Sequence, residues 1–351
     1  MNHPFLAALI CAVLSLFASV LNAAEVNQKP LGLKLPTENL GLINGEPEKF
    51  YMYVDRTTDG VASRPWSGGK FGYWRTLIET SEGPIASKFH EGIDIAPVQR
   101  DSAGRPLDIV HSIADGTVVH ISNTAGHSSY GKYVVVKHDW GYGDFYSLYA
   151  HLASANCILG QKVRAESPLG RLGYTGVGIN LRRAHLHLEL GIMFNDQFER
   201  WHKKYYTGKN YHGKYNGMNI CGLDIAGLLL SNHMNPRISI PQFLKNIPVQ
   251  YKVTIPRKGD LQICQRYLWM KKGNHAAPSA SWEISFSSGA FPLSVAPSDK
   301  VVRSPIVSSA EPLPFNQKYR TRKLTEGNSK TAKLTALGLR NIDLIAGTFI
   351  K

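Results

Sequence analysis

Two short stretches of this chain carry the residue types needed to hold a divalent metal and to move a proton beside it. They are His90-Glu91-Gly92-Ile93-Asp94 and His185-Leu186-His187-Leu188-Glu189-Leu190. In the second, polar and apolar residues alternate without a break, the period of a half-buried β-strand, so His185, His187 and Glu189 share one face and three leucines take the other. A leucine face this regular buries itself in a core and leaves two imidazoles side by side, facing a groove or a metal. The first stretch begins like a metal-binding H-E-x-x-H helix, but the second histidine is absent, and Gly92 with Pro97 disfavours a helix. As an extended segment it places His90, Gly92 and Asp94 together. A hydrolytic Zn²⁺ site takes three protein ligands from His, Asp and Glu and keeps a fourth position for water. His90, Asp94 and one histidine of the pair supply that set. The other histidine of the pair, and His151 at the end of the strand-like run 144–152, remain as bases beside it.

The other polar candidates read differently. His111, His120, His127 and His138 fall in or beside strand-like runs between residues 107 and 138, where each by itself is a structural or exposed histidine. Within that span Asp115-Gly116 is a hairpin signal. His202 and His212 sit in an aromatic and glycine-rich passage and read as surface or loop histidines. Glu189 could orient an imidazole from behind or form an ordinary salt bridge. Cys157, Cys221 and Cys264 either pair once or remain three buried thiols.

At 351 residues the chain is long enough for a full-sized core and about two domains. Residues 4–21 are an uncharged apolar run followed by Asn22-Ala23-Ala24, which reads as an export signal cleaved after Ala23 or Ala24, although its start lacks Lys or Arg; a short membrane anchor is the alternative. No other stretch is apolar for long enough to span a bilayer, so the mature chain is expected to carry no transmembrane segment. The net charge of +14 is carried by residues 199–351, while residues 1–198 are close to balance. In an exported protein such a surface favours anionic envelope polymers, and no nucleic-acid motif accompanies it.

The motifs together resemble the lysostaphin-type (LytM-like) zinc metalloendopeptidases of bacterial cell walls. The resemblance rests on His90-Glu91-Gly92-Ile93-Asp94, Tyr149-Ala150-His151-Leu152 and His185-Leu186-His187 in that order. It also rests on the passages Ala114–Val119, Tyr130–Val136 and Gly173–Gly176, and it covers about residues 70–192. It implies a mainly β fold, with the antiparallel sheet core of the duplicated hybrid motif type. It further implies His90, Asp94 and His187 as zinc ligands, His151 and His185 as catalytic histidines, and a peptide of peptidoglycan as substrate. Two departures stand near the expected groove: the polar insertion at residues 99–106, and Leu181-Arg182-Arg183-Ala184 before the final strand.

The organisation expected is a signal over 1–24, a poorly structured lead-in within 25–69, a metallopeptidase domain over 70–245 with a short helix near Leu223–Leu230, and a basic, β-rich and partly flexible region over 246–351. The expected function is that of a periplasmic or secreted, cell-wall-associated bacterial endopeptidase cutting peptidoglycan cross-links. The alternatives are a catalytically silent relative that regulates a wall amidase, and a secreted peptidase acting on other, Gly-rich proteins.

Overall fold

The computed structural model describes residues 29–350 apart from 59, 80, 82, 313–321 and 328. The apolar leader lies outside the described residues. The fold is mainly β, with antiparallel sheets, and its centre is the histidine strand Leu186–Met193. On one side this strand pairs with Asp144–Ala150. On the other it pairs with Ile93–Ile95 along its first half and with Ile220–Gly222 along its second. Tyr133–Asp139, Gly116–Ser122 and Lys162–Val163 complete a seven-stranded sheet.

Alternation along these strands sorts the side chains. Leu186, Leu188, Leu190 and Ile192 join Ile93, Ile95, Val134, Val136, Phe145 and Tyr149 in one continuous core. The other face collects Tyr133, Val135, Tyr146, Leu148, Ala150, Met193 and Ile220 into a second cluster. Both faces are therefore covered, and the polar residues of the strand are buried: His185 and Glu189 are 1% exposed and His187 8%. The strands also approach closely. A Cβ on Gly92 would stand 2.3 Å from the Leu188 carbonyl oxygen. Gly92→Ala is therefore expected to push the Ile93–Ile95 strand off its partner and to lower the unfolding free energy by about 1–3 kcal/mol in chemical denaturation, the range for overpacking.

Several expectations need correction. Residues 29–49 are packed rather than poorly structured. Leu31 and Leu42 are buried, Lys34 N–H donates to the Ile113 carbonyl, and Asn39 caps the turn Leu40–Leu42 while donating to Lys49 and Ala96. Leu31, Leu33 and Leu35 pack against the core, and bonds to distant backbone groups hold the rest of the segment. Asp115-Gly116 does not close a hairpin: Ile109–His111 pairs with Pro168–Arg171, and Gly116 opens a strand of the main sheet. Residues 261–270 form two short helical turns rather than a strand. Ile306–Ala310, within the stretch read as flexible, pairs with Tyr251–Pro256 in a four-stranded sheet that also contains Ser281–Phe286 and Pro292–Ser298. His202 is buried on the helix Phe198–Tyr205 rather than at the surface. The helix expected near Leu223–Leu230 is Ile225–Met234, started by Asp224, whose carboxylate accepts from Gly227 N–H.

The second half packs directly onto the first. Its sheet shares the same core, which runs from Leu31 to Phe349. Asn195 donates to the Leu344 carbonyl, and the Trp201 indole to Arg340, within the helix Ala336–Ala346. Cys157, Cys221 and Cys264 are buried free thiols. Among the described residues no helix is long and apolar enough to cross a membrane.

Candidate metal centre

Register, rather than loop conformation, brings the two sequence motifs together. Asp94 lies directly across from His187 in the antiparallel pair, and Ala150 flanks His187 on the other side. Opposite residues of such a pair share a face with Cβ atoms about 4.5–5.5 Å apart. His90 follows the strand Ile85–Phe89, with its backbone N–H donated to Tyr73 and its carbonyl accepting from Gly72. Three donor atoms then converge: His90 Nε2 is 3.0 Å from Asp94 Oδ1 and 3.2 Å from His187 Nδ1, and His187 Nδ1 is 2.9 Å from Asp94 Oδ1. Ligands at zinc's bond length of 2.0–2.1 Å, held tetrahedrally, stand about 3.3 Å apart. Among the described residues this is the group of His, Cys, Asp and Glu that could hold a metal ion.

Each imidazole has one nitrogen turned outward against an oxygen acceptor, so in the neutral ring the proton sits on that nitrogen and the inward nitrogen carries the lone pair. His90 Nδ1 donates to the Lys70 carbonyl, 2.8 Å away, and His187 Nε2 to Glu189 Oε1 at 2.9 Å. His151 Nδ1 donates to the Thr175 carbonyl at 2.8 Å and His185 Nδ1 to Arg183 at 2.6 Å. Backbone or carboxylate partners of this type hold ring orientation and raise ligand basicity. The His151 ring lies 4.7 Å from that of His185 and 5.8 Å from that of His187. Strand alternation would send it to the core side with Tyr149. Instead His151 takes φ +62°, a left-handed conformation that is rare outside glycine and turns the ring toward the other histidines.

Residues 88–198 match the model of peptidase family M23. This segment is an M23 peptidase domain. No curated protein matches the chain. Solved structures similar to it include a catalytic-domain variant of the prophage-encoded M23 protein EnpA from Enterococcus faecalis (18% identity, 40% of this chain and 80% of that one, TM-score 0.26). The catalytic domain of lysostaphin from Staphylococcus simulans is another (18%, 44% and 86%, 0.27). A third is a zinc-containing peptidase from Vibrio cholerae (21%, 39% and 43%, 0.24), of which the chain spans less than half. The family is one of metallopeptidase-type hydrolases.

Within the M23 domain, electrostatics favours a cation at the convergence point. The Asp94 carboxylate is fully buried, and although burial alone would raise its pKa, Arg75 at 2.5 Å and His90 hold it well below the usual carboxylate range. Burial pushes His90 down to about 4, keeping it neutral. For His187 burial also opposes the charge, but hydrogen bonds to Asp94 and Glu189 prevail and raise it to about 9. His151 is kept neutral by burial, reinforced by His185 and His187.

Sequence reasoning missed several residues around the centre. Arg75, from the strand Trp74–Ile78, grips Asp94 Oδ2 and also donates to the Gly68 carbonyl. The Tyr130 hydroxyl donates to Glu189 Oε1 at 2.8 Å, so Glu189 is bound by both Tyr130 and His187. A cavity of about 400 Å³ opens beside His90, His187 and Glu189, and His212, read from sequence as a surface or loop residue, lines it together with Tyr130 and Arg322. Neither Arg75 nor Arg322 lies in a patterned segment. The two departures noted in the sequence meet each other: the Arg100 guanidinium lies 3.1, 3.4 and 3.5 Å from the carbonyls of Leu181, Arg182 and Ala184. The insertion therefore props the segment that delivers His185. His138 is buried between the Asp115 carbonyl and Ser147, away from the centre.

Proposed function

We propose that the chain is an exported, zinc-dependent endopeptidase that hydrolyses peptide cross-links of bacterial peptidoglycan. The observation that carries this reading is the triangle of His90, Asp94 and His187 flanked by two further histidines, each held at Nδ1 by a backbone carbonyl. Its three donors, two imidazoles and one carboxylate, match the ligand chemistry of a hydrolytic zinc site. When bound, zinc supplies an acidified water, its pKa lowered toward about 7, and polarises the scissile carbonyl. His151 is the base: its Nδ1 proton is committed to Thr175, so Nε2 accepts a proton and passes it to the leaving amine. His185, held at Nδ1 by the Arg183 carbonyl, presents Nε2 3.4 Å from Asp94 Oδ1, and with a proton carried on Nε2 it would donate to charge that develops on the substrate oxygen. Arg75 fixes Asp94 in place, and Glu189 with Tyr130 fixes His187.

The substrate class and location draw on other features. The apolar leader supports export, and the excess of Lys and Arg in residues 199–351 suits anionic polymers of the envelope. A silent regulator of an amidase would have no use for a complete set of five polar residues with each histidine oriented. Purified sacculi incubated with the protein are expected to release uncross-linked muropeptides, and a chelator should stop the release. Unchanged muropeptides with cleavage of a Gly-rich protein would move the substrate to other proteins. Release indifferent to chelation would overturn the metal mechanism.

A further inference from the structure

The structure assigns Arg322, from a segment well beyond the matched M23 domain, as a positioning residue of the metal centre, acting through Glu91 and Glu189. This rests on the proposed zinc site, although its test does not require that the substrate be peptidoglycan.

Glu91 follows the ligand His90 in sequence, and Glu189 accepts the proton of His187 Nε2. The two carboxylates line the same cavity beside the ligands. Each has one oxygen, Oε2, buried without a hydrogen-bond partner. Two carboxylates so placed are costly to keep ionised unless a cation answers them. Arg322 is that cation. Its Nη2 lies 2.5 Å from Glu91 Oε1 and 3.1 Å from the Gly217 carbonyl, its Nη1 is 3.7 Å from Cys221 Sγ, and its charge acts on both Glu91 and Glu189. The side chain is 16% exposed, against 22% for Glu91. Arg322 and Lys323 both adopt left-handed backbone conformations, at φ +57° and +62°, which place the guanidinium under the loop that carries Gly217.

The consequence concerns the direction in which Glu189 points. With Arg322 holding Glu91, Glu189 Oε1 is free to bind Tyr130 and His187, and the His187 ring presents Nδ1 to Asp94 and His90. Without Arg322 nothing anchors Glu91 Oε1, and the Glu91 carboxyl is free to turn toward Glu189, whose Oε2 has no partner, and to draw it from His187. The orientation of His187 then loses its support.

The test is the zinc affinity of the full chain, stripped of metal and titrated in competition with a chromogenic chelator, for wild type, Arg322→Met, Arg322→Lys, Glu91→Gln and the double variant Glu91→Gln/Arg322→Met. Arg322→Met is expected to weaken zinc about 10–100-fold, the range for loss of an outer partner of a ligand. Arg322→Lys and Glu91→Gln should stay within about threefold of wild type. The double variant should recover most of the loss, because removing the Glu91 charge removes the need for the cation. Wild-type affinity in Arg322→Met, or a double variant no tighter than Arg322→Met, would overturn the assignment. If Arg322→Met does not fold, Arg322→Lys and the double variant decide the matter, and a double variant that folds but binds zinc poorly refutes it. Wild type that binds zinc yet leaves sacculi intact would count against the substrate reading alone.

Discussion

His187→Ala is expected to leave the protein folded but unable to retain zinc, with a loss of affinity greater than the roughly 10–100-fold typical of removing an outer partner. The ring supplies one of three converging atoms, at 2.9 and 3.2 Å from the other two, and is fixed from behind by Glu189. Truncation leaves two donors, too few for the three-ligand site that hydrolytic zinc requires. The fold should survive because Asp94 keeps its bond to Arg75 and its backbone place opposite residue 187, and because the leucine face that anchors this strand is untouched. Metal content after dialysis, read beside a thermal melt of the metal-free protein, checks both halves of the expectation. Full zinc occupancy in the variant would remove His187 from the ligand set.

The opposite signature is expected of the flanking histidines. His151→Ala and His185→Ala should bind zinc within a few-fold of wild type while kcat falls about 10²- to 10⁴-fold, the range for loss of a positioned acid or base. Neither is one of the three converging atoms, and each ring is held by a backbone carbonyl that the other two residues of its motif do not share. For His151 the backbone adds a control. At φ +62° alanine stays strained whereas glycine does not, so His151→Gly should be the more stable of the two by about 1 kcal/mol and equally inactive. A His151→Gly protein that retained turnover would exclude the imidazole as the base.

The candidate site was legible in the sequence to the extent that it depends on strand period. His185, His187 and Glu189 alternate with leucines, and a strand that buries leucines on one face has no choice but to present those three on the other. Asp94 follows because Ile93 and Ile95 must join the same core. What alternation could not convey is anything reached across the sequence without a pattern of its own. Arg75 belongs to a short exposed hairpin, Arg322 to a segment of turns, and His212 to an irregular loop. His151 was found by its motif, but its ring reaches the site only through a left-handed residue that no periodicity announces. Local polarity misled over residues 29–49, where Leu31, Leu33 and Leu35 pack against the core and hydrogen bonds from Asn39 and main-chain pairing to Ile113 hold the rest.

The fastening of Asn195 by the Leu344 carbonyl has a temporal meaning. A chain made from its N-terminus contains all five polar residues of the site once residue 187 has been synthesised. The end of the histidine strand is paired with Ile220–Gly222 and bound by Asn219 soon afterwards, but its fastening to the helix Ala336–Ala346 waits for about 150 further residues. The sheet around the site is thus encoded before residue 223, and the C-terminal helix is the last brace that the emerging polypeptide can add to it.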